Sequence, residues 1–174
     1  MQISLSLLIT ISFLLLGCSM PTPDFNTPEQ LSTEVNQNPE FLGQLLPIEA
    51  KALMGDEEIE LEVTRTPQQQ RLGLMYRDQA SLPDNRGMLF SFDEPKIARF
   101  WMKNVVISLD MVFLLDGKIQ AIEANVPPCN TLACPTYGPE DLLVNQVIEL
   151  RGGRAAELEL QPGDTIEIEF LDSQ

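Results

Sequence analysis

The sequence predicts a mainly β domain of the α+β kind, a compact, closed or half-closed β-barrel-like sheet with one or two short helices. Three observations predict it. Short runs of alternating apolar residues recur between residues 48 and 170, each bounded by Gly, Pro, Asp or Asn. Asp116-Gly117 separates two such runs as a two-residue type I′ hairpin turn would. Thr66, followed by Pro67 and Gln69, is the clearest helix start in the same stretch.

Ile48, Ala50 and Ala52 alternate toward a turn at Gly55 and Asp56, and Ile59, Leu61 and Val63 alternate on the return, which makes a hairpin. Thr66-x-x-Gln69 is a capping box and Pro67 fits the first helical position, so a helix to about Tyr76 is expected, with Leu72 and Met75 inward. Beyond the loop at Pro83-Asp84-Asn85, the stretches Met88 to Phe92, Ala98 to Met102 and Asp110 to Leu115 read as strands. Lys118 to Val126 returns from the Asp-Gly turn. A strand from Val144 to Leu150, a short helix at Arg154 to Leu158, and a last strand from Thr165 to Phe170 after Gly163-Asp164 complete the domain.

Upstream of the domain, Ile3 to Gly17 carries no charge and ends at Cys18 after Leu15-Leu16-Gly17, a lipobox-like sequence. An apolar run of about 15 residues is short for a hydrocarbon core of about 30 Å and reads as the core of a signal peptide. Residues 1–18 are therefore a signal peptide, and Cys18 is the expected site of lipidation; ordinary peptidase cleavage or an uncleaved anchor are the competing outcomes. Residues 19–45, with Pro21, Pro23, Pro28 and Pro39 among polar residues, read as a tether. Residues 46–172 are one domain of ordinary size. The expected location is the bacterial cell envelope, with the membrane as partner through the N-terminus.

Cysteine usage agrees with export. With Cys18 set aside, Cys129 and Cys134 remain as a pair, and an oxidising compartment favours a disulfide between them. Four residues between the cysteines, where a redox motif has two, argue against thioredoxin-like chemistry, and a chain with no histidine is a poor structural zinc protein. The absence of histidine also removes Ser-His-Asp and Cys-His catalysis in their ordinary forms. A net charge of −15 opposes nucleic acid as a partner, since phosphate contacts need a basic face.

Gly73-Leu74-Met75-Tyr76-Arg77, Gly87-Met88-Leu89-Phe90, Trp101-Met102-Lys103-Asn104, Leu109-Asp110, Asp116-Gly117 and Pro162-Gly163-Asp164 occur in this order over residues 48 to 170. In that order and spacing they resemble the domain-of-unknown-function family 192. Val105 and Ser108 depart from the pattern, which usually has Thr and Pro there. The resemblance implies a compact, β-rich exported domain and supplies no activity.

Two groups of residues are candidates for chemistry. A two-residue loop at Asp116-Gly117 sets Leu115 opposite Lys118, Leu114 opposite Ile119, Val112 opposite Ala121 and Asp110 opposite Glu123. Two carboxylates facing each other beside apolar neighbours need neutralising by Lys103 or an arginine, by a hard cation such as Ca²⁺, or by a shared proton, unless a bulge shifts the register or the pair sits in water. As an acid and base pair they would suit a hydrolase of envelope carbohydrate. The second group is Arg99, Trp101 and Lys103, which strand alternation places on one face with Phe100 and Met102 on the other. A tryptophan between cations stacks a sugar ring or holds a carboxylate, or else packs on the aliphatic stems beside it. Met75, Met88, Met102 and Met111 fall on apolar faces and read as core rather than as a copper(I) site. No cofactor is expected beyond the Ca²⁺ just considered. The reading that follows is an exported, lipid-anchored binding or accessory module, with a carbohydrate hydrolase and a purely structural envelope protein as alternatives.

Overall fold

The computed structural model describes residues 43–172, so the expected signal peptide, Cys18 and most of the expected tether lie outside the described residues. The first hairpin forms as its alternation predicts: β1 (Ile48–Met54) and β2 (Glu57–Thr64) pair in antiparallel fashion around Gly55, whose φ of +58° suits the turn. Thr66 then caps α1 (Pro67–Leu72): its side chain accepts from the Gln69 amide at 3.2 Å, while Gln69 Oε1 accepts from the Thr66 amide at 2.9 Å. The helix stops short of Tyr76. Gly73 turns the chain at φ +48°, where a Cβ would already stand 3.4 Å from the Phe90 ring, so the chain leaves α1 pressed against the sheet.

This crossover returns the chain as β3 (Arg86–Lys96), parallel to β2, a pairing that local patterns do not announce. The remaining strands are β4 (Phe100–Trp101), β5 (Leu109–Leu115), β6 (Lys118–Val126), β7 (Thr136–Tyr137), β8 (Val144–Arg151) and β9 (Glu167–Phe170), with α2 (Arg154–Glu157) before the last. Seven strands form one sheet in the order β6-β5-β8-β3-β2-β1-β9, and β4 pairs with β7 apart from it. The mainly β class with two short helices is as expected, but the sheet does not close into a barrel. Its edges β6 and β9 do not pair as strands; a single bridge, Lys118 to Thr165, joins β6 to the chain just before β9. The strand expected over Ala98 to Met102 shrinks to two residues, because β7, its partner, is only two residues long.

The core has two layers, one on each face of the sheet. One gathers Ala52, Ile59, Leu61, Val112, Leu114 and Ile148, with Leu158 after α2 packing into it. The other gathers Phe90, Met88, Met102, Met111, Phe113 and Val147 beneath the segments after α1 and around β4. Phe100 reaches into this second layer and meets Phe90 and Phe113 edge-on, at centroid distances of 5.0 and 5.9 Å. The methionines lie on apolar faces, as expected.

The β5–β6 hairpin carries the main correction. Asp116 and Gly117 both have positive φ, 50° and 77°, and the first two pairs back from the turn are as predicted. Past Ile119 the register shifts, since Phe113 faces Ala121 while Leu114 faces Ile119, which leaves Gln120 as an extra residue. One slip sends every later side chain to the other partner. Glu123 therefore faces Met111 and not Asp110.

Candidate functional site

Trp101 stands on a strap, the segment from Lys96 to Asn104, that passes over the second core layer. Alternation works here as predicted: Phe100 and Met102 point into the core, Met102 being fully buried, while Arg99, Trp101 and Lys103 face outward. The strap is fixed from several sides. Arg99 donates to the carbonyls of Gly138 at 2.6 Å and Thr136 at 2.8 Å, and the Tyr76 amide donates to the Asn104 carbonyl at 2.8 Å. Lys103 bridges in parallel to Cys129, the first residue of a loop closed by the Cys129–Cys134 disulfide, whose Cα atoms are 5.8 Å apart.

A hollow opens on each side of Trp101, which remains 44% exposed. One, of about 310 Å³, lies between α1 and the strap, with Leu72 and Met75 as apolar lining and Arg71 and Lys103 as cations. The other, of about 460 Å³, is lined by Phe90, Phe92, Lys96 and Arg99, and shares Arg71 and Trp101 with the first. The Lys103 Nζ lies 5.5 Å from the Trp101 ring centroid, and the Lys96 Nζ lies 3.6 Å from that of Phe92.

Charge pairing singles this cleft out. Of the eleven Lys and Arg residues, six form ion pairs: Lys51 with Glu58, Arg65 with Glu49, Arg77 with Glu62, Arg86 with Glu60, Arg151 with Asp84 and Glu157, and Arg154 with Glu57 and Glu157. Among the described residues, Arg71, Lys96, Arg99, Lys103 and Lys118 have no ion-paired carboxylate, and the first four line the two hollows. Sequence reasoning named Arg99, Trp101 and Lys103 and missed Arg71 and Lys96. A signal was present: from Pro95 to Leu109 the chain has three cations and no acid, and α1 itself has none.

Asp110 and Glu123 do not come together. Asp110 is fully buried, and its carboxylate accepts from the amides of Asn125 at 2.6 Å, Gly153 at 2.9 Å and Ala155 at 2.6 Å, which ties α2 to β5. Glu123 shares the opposite face with Met111 and accepts from the Gly138 amide at 3.1 Å. Neither one Ca²⁺ nor one scissile bond can sit between carboxyls on opposite faces of a sheet, and Lys103 neutralises neither. Both oxygens of Asp110 already have amide donors, which satisfies the buried carboxylate.

Two other buried acids were not read from the sequence. Glu62 receives the Arg77 Nη1 at 2.8 Å and the Leu46 amide at 2.8 Å, an ion pair removed from solvent. Glu149 has no such partner. It lies between Met88 and Met111 as its cross-strand neighbours, its Oε2 accepts no hydrogen bond, and burial pushes its carboxyl up to about 8. An acid inside the apolar run Val147-Ile148-Glu149-Leu150 was the available signal.

Comparison with known proteins follows the same outline. Residues 50–168 match domain-of-unknown-function family 192, described as "Uncharacterized ACR". Among solved structures, a protein of unknown function from Novosphingobium aromaticivorans is 34% identical with a TM-score of 0.58, over 68% of this chain and 83% of that one. A "putative transcription regulator" from Sinorhizobium meliloti is 31% identical with a TM-score of 0.60, over 72% of this chain and 97% of that one. No curated protein matches the chain.

Proposed function

Because the chain belongs to domain-of-unknown-function family 192, whose description carries no activity, we propose from the Trp101 cleft itself that the domain is a binding module for an anionic ligand with a ring face. The observation that carries this reading is the gathering of Arg71, Lys96 and Lys103, which have no carboxylate partner among the described residues, around one exposed tryptophan, with Arg99 beside them held by backbone carbonyls, in a protein of net charge −15. A cation left unpaired where acids are abundant keeps its charge available to a ligand. Trp101 offers a flat apolar face between Arg71 and Lys103, and the Leu72 and Met75 side chains floor the hollow beside it.

We further place this module at the cell envelope, held there by a lipid on Cys18, on the strength of the apolar run that ends at Leu-Gly-Cys. The Sinorhizobium relative is described as a "putative transcription regulator", but a chain this acidic opposes a phosphate backbone, so nucleic acid is not the ligand proposed.

Trp101 is the only tryptophan in the chain, so its fluorescence reports the cleft directly. Titration with galacturonate at low ionic strength is expected to change Trp101 emission, with a Kd on the order of 1 mM, while galactose at the same concentration changes it at least about fivefold less. Arg71→Ala and Lys103→Ala should each weaken the response to galacturonate. Equal responses to the acidic and the neutral sugar, or no response to either, would overturn the reading in favour of a purely structural domain.

A further inference from the structure

The two hollows beside Trp101 are part of a longer groove. A third, of about 760 Å³, shares Gln70, Phe92 and Lys96 with the second and continues to Arg65 and Phe170. Its wall is an irregularity in β3: Ser91 pairs with Gln146 and Lys96 with Val144, so Phe92 to Pro95 bulge away from β8, with Phe92 partly buried against the second core layer. Gln70 donates to the Ser91 carbonyl at 3.1 Å, which holds α1 against this bulge. Ser91 also lines the hollow, and its Oγ has no hydrogen-bond partner.

Each hollow along this path contains an aromatic ring with a cation near it. Trp101 has Lys103, Phe92 has Lys96, and Phe170 has Arg65 at 5.9 Å. Trp101 and Phe170, at opposite ends, are 44% and 48% exposed, which suits two rings that receive a ligand. The charge along the groove is uneven. The Trp101 end has cations without carboxylate partners, whereas at the Phe170 end Asp93 and Glu94 line the wall and Arg65 is already paired with Glu49.

Building on the binding reading above, we infer that the ligand is a linear glycan that carries both acidic and uncharged rings, lying along α1 with a uronate at Trp101 and an uncharged ring at Phe170. A polymer charged at every unit would bring one anion against Asp93 and Glu94, and like charges at close range oppose binding. That argument sets aside both a fully acidic glycan and a single-stranded nucleic acid, although stacking platforms with cations also suit the latter. An uncharged ring at Phe170 meets an aromatic face without that repulsion.

Oligosaccharides of alternating glucuronate and N-acetylglucosamine test this on the full-length protein through Trp101 emission. The hexasaccharide is expected to bind about tenfold tighter than the disaccharide, the gain of one further occupied station. Phe170→Ala should remove that gain, with thermal melting as the check on folding. As a second variant, Asp93→Lys with Glu94→Lys should improve binding of oligogalacturonate, charged at every ring, by about tenfold. If the disaccharide binds but length brings no gain, the extended groove is overturned and the Trp101 cleft stands; if neither sugar binds, the cleft reading fails as well. Tighter binding by hexathymidylate than by the hexasaccharide would assign the groove to nucleic acid and overturn the inference.

Discussion

Asp110, Glu123 and Glu149 lie on neighbouring strands, yet their surroundings give them three different roles. Asp110 has three amide donors and joins α2 to the sheet; Glu123 holds the Gly138 amide; Glu149 has apolar neighbours and no compensating cation. Burial penalises only the charged form of Glu149, so its carboxyl, pushed up from 4.5 to about 8, stays protonated in the folded protein where the unfolded chain has released the proton. The folded state then binds more protons than the unfolded one between these two values, and stability falls as pH rises from about 4.5 to about 8, then levels off. Glu149→Gln removes this dependence while preserving shape. The variant is expected to gain stability over the wild-type protein steadily from pH 5 to pH 8, reaching several kcal/mol, at about 1.4 kcal/mol per pKa unit. Urea unfolding at pH 5, 7 and 9 measures it, and parallel stability curves for the two proteins would show that Glu149 is charged in the fold.

At the scale of elements, the strap that bears Trp101 depends on pieces distant in sequence. β4 pairs only with β7, and Lys103 is bridged by Cys129, so the 129–134 disulfide loop supports the site from beside it. Reducing the disulfide should cost about 2 kcal/mol by the chain-entropy estimate for so short a loop. Since the loosened loop is in register with Lys103, weaker galacturonate binding should accompany the loss. A Cys129→Ser, Cys134→Ser variant with unchanged Trp101 titration would separate the loop from the cleft. Local signals made most elements legible: the Thr66 capping box, the Asp116-Gly117 turn, the first hairpin and the helix at Arg154 are all contained within a few neighbouring residues. What stayed hidden depends on partners elsewhere in the chain. The parallel β2–β3 contact is made across α1, and β4 ends after two residues because β7 does. The bulge at Gln120 gave no pattern, because a neutral polar side chain is at home on either face. It decided the candidate site nonetheless, by parting Asp110 from Glu123.

The whole molecule separates its charges unevenly. Acids outnumber cations by 26 to 11; among the described residues six of the cations are held in ion pairs, and four of the remaining five border one groove. An excess of acids opposes attraction to anionic lipid, so charge alone gives the protein no reason to stay at a membrane. The membrane retention proposed above therefore rests on the N-terminus alone. The uncharged run from Ile3 to Gly17 ends at Cys18, and the Pro-bearing segment that follows carries acids and no cation before the domain begins. A single acyl chain gives marginal, reversible attachment, whereas a diacylated and N-acylated cysteine supplies enough buried methylenes for a stable anchor, at about 0.8 kcal/mol each. Cys18→Ser is therefore expected to move the protein from the membrane fraction to the soluble envelope fraction without altering its thermal melting or its Trp101 titration. The native protein should show the mass of a lipid on a chain that begins at Cys18. Membrane association that survives the substitution, with no lipid mass on the wild-type chain, would mean that the apolar run itself is retained as the anchor.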